Sequence, residues 1–188
     1  VTTDVRIVPL ISDEPIGGCT GIKCYGSTVL VRADQGQSLF IFEDGKLTAH
    51  LCKVGRGRGE YTLIGDFVYS PTKKLLYIKG AAGNNNVLTY SVPDLQFKGS
   101  FDGGDFTAFA EHDDSTLICR MVNEADQKFA DYFVSTGTGE KLAIAKEVGI
   151  TSLMFNTDMN YYTPQHRILL ETGSVNTISE VPARIGDK

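Results

Sequence analysis

The chain has 188 residues, of which 41% are hydrophobic and 22% are charged, and its formal net charge is −5. This length suits one core of ordinary size or two small ones. The longest apolar runs span only a few residues, far below the roughly 20 that a membrane helix needs, so the sequence excludes a transmembrane segment of that kind. An acidic chain without a block of Lys and Arg offers no electrostatic footprint for nucleic acid. Its 10 Phe and 8 Tyr argue against disorder.

Four cysteines, Cys19, Cys24, Cys52 and Cys119, include no Cys-x-x-Cys pair, so the sequence predicts neither structural zinc nor a redox motif. Cys24 and Cys119 lie within alternating apolar segments, and we expect both to be small buried hydrophobic residues. The sequence leaves undecided whether Cys19 or Cys52 takes part in a disulfide. The chain begins at Val1 without Met and without a secretory signal, which is typical of a mature or trimmed chain.

The predicted elements are short β-strands, because β-rich runs bounded by Gly, Asp, Asn and Pro occur throughout and helical periodicity is hard to find. In the clearest hairpin, strands at 38–42 and 47–51 flank Asp44-Gly45, which supplies the positive φ angles of a type I′ turn. A second hairpin joins residues 87–90 to 95–101 through Val92-Pro93-Asp94.

The strands recur at a fixed interval, which indicates a repeat architecture. Second strands of each unit are predicted to begin near Val29, Leu75, Leu117 and Arg167. Third strands begin near Ser38, Val87 and Lys128, and fourth strands near Lys46, Leu95 and Glu140. Each unit is therefore a four-stranded meander, and the units are spaced about 40 to 50 residues apart, as propeller blades are.

Four-stranded sheets at this spacing predict an all-β fold, a β-propeller of antiparallel blades. The blades are predicted at 21–52, 66–101 and 105–146, with an incomplete fourth from 151 to 188. A two-sheet sandwich is the alternative, although it gives no reason for the period. Because a closed ring takes about 4 to 8 blades, we expect a single, truncated domain of about three and a half blades. The segment 5–11, without partners in the first blade, is expected to close the ring.

The chain resembles a family of six-bladed β-propeller lipoproteins of Gram-negative gut anaerobes. The residues that carry the resemblance are the loop 54–61, the strands 64–69 and 75–78, and the preceding segments 7–10, 22–23, 39–42 and 44–45. The family's loop reads Gly-Arg-Gly-Pro-Gly-Glu-Tyr, and Arg58 stands here in place of its Pro. The resemblance implies an exported, lipid-anchored protein of about twice this length, without an established activity. The lipidated Cys expected near the mature N-terminus is absent, which fits a trimmed chain.

The loop Gly55-Arg56-Gly57-Arg58-Gly59 satisfies neither glycine-rich nucleotide motif, and no helix follows it, so a nucleotide site is not predicted. Its glycines suit a tight crossing between blades, in which Glu60 accepts hydrogen bonds from backbone N–H groups or pairs with an arginine. The functional alternative is that Arg56 and Arg58 hold a carboxylate or sulfate at the mouth of the central channel. With Glu60 and Tyr61, they are candidate ligand-binding residues.

His112 and Asp113 lie in an acidic turn, Glu111-His112-Asp113-Asp114, and are the other candidate ligand-binding residues. The simpler interpretation is a solvated turn, since Asp stabilises turns through its own backbone. No calcium-loop spacing, catalytic elbow or metalloprotease motif occurs, and we predict no metal, cofactor or catalytic residue. Tyr161-Tyr162 and the turn 84–86 offer stacking and amide contacts to a sugar, or equally a structural role.

The leading hypothesis is a non-catalytic, exported propeller of the periplasm or outer-membrane surface, which binds a glycan, a peptide or a partner protein such as an outer-membrane protein during nutrient uptake. A lipid anchor would lie outside this sequence. The alternative is a propeller hydrolase or lyase with a metal or carboxylates at the central channel. A third option is a half-ring that pairs with a second copy.

Overall fold

The structure is a computed structural model that describes residues 7–81, 85–123, 128–148, 161–162, 168–172 and 177–180. Residues 5–6 of the predicted ring-closing segment lie outside the described residues, as do residues 151–160, 163–167, 173–176 and 181–188 of the predicted fourth unit. Within the described part of the chain, no helix is long and apolar enough to span a membrane.

In the described residues, antiparallel strands build three four-stranded sheets and one three-stranded sheet, each with sequential strand order. Blade 1 contains β1 (Gly21–Tyr25), β2 (Thr28–Ala33), β3 (Ser38–Glu43) and β4 (Lys46–Leu51). Blade 2 contains β5 (Ile64–Ser70), β6 (Leu75–Gly80), β7 (Asn86–Ser91) and β8 (Phe97–Asp102). Blade 3 contains β9 (Phe106–Glu111), β10 (Thr116–Asn123), β11 (Lys128–Ser135) and β12 (Lys141–Val148). The last sheet contains β13 (Tyr161–Tyr162), β14 (Ile168–Thr172) and β15 (Thr177–Glu180). The all-β propeller fold predicted from the sequence is confirmed.

The predicted repeat matches the observed strands closely. In blades 1 to 3, the predicted starts of the second, third and fourth strands fall within about two residues of the observed ones, and the start predicted near Arg167 lies outside the described residues. In the first hairpin, Asp44 and Gly45 have φ angles of 48° and 79°, as a type I′ turn requires. That the chain forms one truncated domain stays a prediction.

Alternating residues of each blade contribute to two different cores, because successive side chains of a strand point to opposite faces. In β5, Phe67 and Tyr69 pack toward blade 1, where Leu30, Ile41 and neighbouring side chains form one apolar cluster. Val68, between them, packs into a second cluster with residues of blade 3 such as Phe109. Blade 2 is thus covered on both faces, as a propeller blade is.

Two expectations about blade 1 are wrong. Cys24 is exposed, whereas Cys119 is buried as predicted. The reason is register: Lys23 and Tyr25 contact blade 2, so Cys24 lies on the opposite face of β1. The segment 5–11 does have a partner in blade 1, because Ile11 forms a parallel bridge with Lys46 of the outer strand β4. Its ring-closing role stays a prediction. All four cysteines are free, so the structure forms no disulfide.

A buried ion pair joins the inner strands of three successive blades. Lys23 of β1 donates to Oδ1 of Asp66 at 2.7 Å, and Asp66 is only 8% exposed. The same carboxylate accepts the backbone N–H of Phe67 through Oδ1 at 2.8 Å and that of Phe109, in β9, through Oδ2 at 3.1 Å. Both oxygens of a buried carboxylate are therefore engaged, which offsets the cost of removing it from water.

Removing this carboxylate should destabilise the chain more than removing its lysine. We expect Asp66→Ala to lower the free energy of unfolding by about 3 kcal/mol, because it leaves a buried ammonium and backbone N–H groups without an acceptor. Lys23→Met should cost less, because Asp66 keeps two backbone donors. Urea unfolding measures both, with the exposed Lys98→Met as control. Equal losses from Asp66→Ala and Lys98→Met would contradict this account.

Candidate ligand-binding cleft

The loop from Val54 to Tyr61 connects the outer strand of blade 1 to the inner strand of blade 2, and it is closed by its own backbone. Gly55 N donates to Tyr61 O at 2.9 Å, and Glu60 N donates to Gly57 O at 3.1 Å. A parallel bridge pairs Val54 with Tyr61. The loop is therefore a compact turn, in keeping with the tight crossing that the glycines predict.

Two buried tyrosines fasten the loop to both blades. Tyr61 is 1% exposed, and its hydroxyl donates to the backbone oxygen of Gln37 at 3.0 Å in blade 1. The hydroxyl of Tyr90, in β7, donates to the backbone oxygen of Gly59 at 2.8 Å. Burial raises the pKa of Tyr61 to about 12 and also raises the pKa of Tyr90, so both hydroxyls stay protonated donors at neutral pH. Tyr61 is thus an anchor of the loop.

Gly59 occupies a position that admits no side chain. Its φ angle is 73°, in the left-handed region, and a Cβ there would lie 2.7 Å from Cγ of Phe97. The guanidinium carbon of Arg58 lies 5.8 Å from the centre of the same ring, within range of a cation–π contact. Phe97 therefore sets the position of both residues.

A cleft of about 670 Å³ opens between this loop and the third and fourth strands of blade 2. Its lining comes from the loop and from the two strands: Gly55, Arg56, Gly57, Arg58, Gly59, Glu60, Tyr61, Thr62, Asn86, Leu88, Phe97, Gly99 and Ser100. That the loop lies at the channel mouth stays a prediction. The cleft is bordered by β7 and β8, the strands farther from the inner strand β5, because the loop leaves from the outer strand β4.

Within the described part of the chain, no salt bridge joins either arginine of the cleft to a carboxylate. Among the residues that the structure describes, the salt bridges involve other cations. The carboxylate of Glu60 is turned toward the backbone and accepts the N–H of Gly57 through Oε2 at 2.7 Å. Of the two predicted roles of Glu60, the backbone acceptor is therefore the one that forms. Arg56 and Arg58 are left with their donors available to a ligand.

His112 and Asp113 lie at the opposite end of the blades. They follow β9, whereas the Gly55–Tyr61 loop precedes β5, and these inner strands run side by side in adjacent blades. His112 is 9% exposed, and its ring centre lies 4.7 Å from that of Phe133. Asp113 Oδ1 accepts the N–H of Ser115 at 2.7 Å, as in an ordinary Asp turn. The six candidate residues thus form two separate groups.

Burial lowers the pKa of His112, although the charge of Asp113, 3.9 Å from Nε2, opposes that shift. The described residues contain no group of three His, Cys, Asp or Glu side chains that could hold a metal ion.

Of the predicted sugar-contacting residues, Asn86 lines the cleft, and Asn84 lies outside the described residues. Tyr161 and Tyr162 form strand β13.

Sequence reasoning missed the blade 2 side of the cleft. On this side, the cleft is bordered by Leu88, Phe97, Gly99 and Ser100, which face the Gly55–Tyr61 loop. No local motif marks any of these four residues. Their position follows from the pairing of β7 with β8, which brings Leu88 opposite Ser100.

Residues 3–186 match the protein family described as DUF5128, 6-bladed beta-propeller. The chain belongs to this family. The resemblance to six-bladed propellers is therefore confirmed, whereas the lipoprotein character and the loop type stay predictions. No curated protein matches the sequence.

Solved structures show the same fold. One is a protein from Bacteroides fragilis NCTC 9343 whose name describes it as exported, with a TM-score of 0.65 and 16% identity over 96% of this chain and 51% of that one. Another is the Kuenenia stuttgartiensis hydrazine synthase, with a TM-score of 0.52 and 16% identity over 94% of this chain and 48% of that one. The chain thus spans about half the length of each.

Gly59 and Gly99 both line the cleft and make a matched pair for substitution. We expect Gly59→Ala to lower the free energy of unfolding by about 1 to 3 kcal/mol, because a methyl group there meets Phe97 and the backbone is left-handed. Gly99→Ala should change it by less than about 1 kcal/mol, since nothing lies within 4 Å of a Cβ at Gly99. Urea unfolding of both variants checks this, and equal losses would contradict it.

His112 should make stability depend on pH. Its folded pKa lies below the unfolded value, so the unfolded chain binds more protons below about pH 6.5, and stability falls as the pH drops from about 7.5 to 5. We expect His112→Gln to make that decline shallower, whatever its effect at neutral pH. Urea midpoints across this range measure the slope, and an unchanged slope would refute the assignment.

Proposed function

We propose that this chain is an exported, non-catalytic binding propeller that takes an anionic group of its ligand in the cleft beside the Gly55–Tyr61 loop. The observation that carries the proposal is the pair of guanidinium groups, Arg56 and Arg58, which line the cleft without a carboxylate partner among the described residues. A glycan, a peptide or a partner protein can present such an anionic group.

The chemistry of the cleft suits a carboxylate or a sulfate. Arginine presents a planar fork of donors that matches these anions in a bidentate way. The glycines of the loop and Gly99 bring backbone groups to the surface of the cleft, where they can hydrogen-bond a ligand. A volume of about 670 Å³ is also within the range of small-ligand sites.

The likeness to the Bacteroides fragilis protein supports export of this chain as well, although it shares only 16% identity. We place the protein in the periplasm or at the outer-membrane surface, with a lipid anchor outside this sequence. In that setting, the propeller would present its cleft to a glycan, a peptide or an outer-membrane protein during nutrient uptake.

The alternative, a hydrolase or lyase with carboxylates at the channel, gains no support from Asp66 of the inner strand β5. Asp66 is the carboxylate that joins the inner edges of the three described blades, and both of its oxygens accept hydrogen bonds. A carboxylate held in this way is a structural group rather than a free acid or base.

Removing either arginine of the cleft should weaken anion binding without unfolding the chain. We expect Arg56→Ala and Arg58→Ala each to weaken binding of glucuronate or inorganic sulfate by about tenfold, because each removes charge-assisted hydrogen bonds. Isothermal titration at low salt measures the affinity. Lys98→Ala is the charge-matched control, because Lys98 lies on β8 but outside the cleft lining.

Two further probes identify the source of the anion. A sulfated oligosaccharide that binds more tightly than sulfate would indicate a glycan, and a Glu-rich peptide that binds more tightly than glucuronate would indicate a peptide or protein. The proposal fails if wild type binds none of these probes, or if Lys98→Ala weakens binding as much as the arginine variants do.

A further inference from the structure

The side chain of Glu60 fills a small hollow in the backbone of the Gly55–Tyr61 loop. Its Oε2 accepts the N–H of Gly57 at 2.7 Å, which is short for an N–H···O bond and typical of an ionised acceptor. A Cβ at Gly55 would overlap this oxygen, and one at Gly57 would lie 3.0 Å from it. Two glycines therefore leave the space for a carboxylate. We name Gly55, Gly57 and the space between them the glycine cradle.

We propose that the glycine cradle is a carboxylate subsite, which Glu60 occupies in the free protein and from which a ligand carboxylate displaces it. This inference rests on the proposed function, since it assigns the class of ligand and a regulatory step to the same cleft. The ligand is then a carboxylate-bearing molecule, such as a uronate sugar or an acidic peptide, rather than a sulfate ester.

The occupant of the cradle shows which anion fits it. A planar group of two oxygens already sits against the Gly57 N–H, in the space that the missing side chains leave open. An incoming carboxylate would meet the same donor and the same space, in a cleft that Arg56 and Arg58 also line. A tetrahedral sulfate carries two more oxygens than this space is shown to hold.

Displacement of Glu60 is physically inexpensive because its side chain is exposed. When the carboxylate leaves the cradle, water solvates it, so the exchange replaces one carboxylate by another on the same donor. Neither arginine is tied to Glu60 by a salt bridge, so its departure breaks no ion pair in the described part of the chain. Occupation of the cradle by Glu60 nevertheless lowers the apparent affinity for the ligand, because only the fraction of molecules with an open cradle binds it.

Two substitutions separate competition from simple charge repulsion. Glu60→Asp keeps the negative charge on a side chain one methylene shorter, which reaches the cradle poorly. Glu60→Gln removes the charge. If Glu60 competes for the cradle, the affinity of both variants for glucuronate should exceed that of wild type by about threefold or more. If Glu60 only repels anions, Glu60→Asp should bind like wild type.

Titration calorimetry of the whole chain with glucuronate gives these affinities, with glucose and inorganic sulfate as matched probes. In addition, ¹³C NMR of the Glu60 carboxyl carbon in wild type should show its resonance move on saturation with glucuronate but not with glucose. Tighter glucuronate binding by Glu60→Asp together with that movement supports the subsite.

The outcomes also separate this inference from the proposed function. If glucuronate binding depends on Arg56 and Arg58 but Glu60→Asp binds it no more tightly than wild type, the cradle is not the subsite and the proposed function stands. The same holds if both Glu60 variants bind more weakly, which would make Glu60 a brace of the loop. If no variant binds any anion, the proposed function itself is wrong.

Discussion

The arrangement of the described blades depends on the buried carboxylate of Asp66. It accepts hydrogen bonds from Lys23 and from the backbone of Phe109, and each partner lies 43 residues away in the sequence. Because 43 residues is also about the length of one blade here, the three residues occupy equivalent positions of successive inner strands. The carboxylate is satisfied only when all three strands lie side by side. One interaction therefore couples the placement of blade 1 to that of blade 3.

The same coupling continues outward to the cleft. Arg32, at the end of β2, donates to the backbone oxygens of Ile64 and Gly65 at the start of β5, so the two blades are tied at the end that carries the loop. Farther out, the hydroxyls of Tyr61 and Tyr90 bind backbone oxygens of Gln37 and Gly59. The loop is thus held from both sides by buried donors, and its two arginines extend from a fixed backbone. Such preorganisation lowers the entropy that a ligand must offset on binding.

The sequence predicted those features that depend on local or periodic patterns. The dipeptide Asp44-Gly45 predicted the turn between β3 and β4, and the recurrence of strands predicted the blades. Both features depend on residues that are close together in the sequence. Cys24 was predicted wrongly, since its exposure depends on which face of β1 meets blade 2. The role of Asp66 was not predicted, because it depends on contacts with the preceding and the following blade. The repeat alone could have indicated it, since Asp66 lies one repeat length after Lys23 in the sequence. The cleft required the pairing of β7 with β8, which places Phe97, Gly99 and Ser100 beside a loop about 40 residues earlier.

The cleft is formed by residues of one loop and one adjoining blade. Its described lining residues belong to the Gly55–Tyr61 loop, to Thr62, or to β7 and β8. The groups that hold the loop belong to blades 1 and 2, and both blades are described in full apart from the turn at 82–84. A site at the central channel would instead draw on every inner strand of a six-bladed ring. The proposed binding at the cleft draws on residues of blades 1 and 2, so the roles proposed for Arg56, Arg58 and Glu60 can be tested on this chain, which spans about half the length of the structures it resembles.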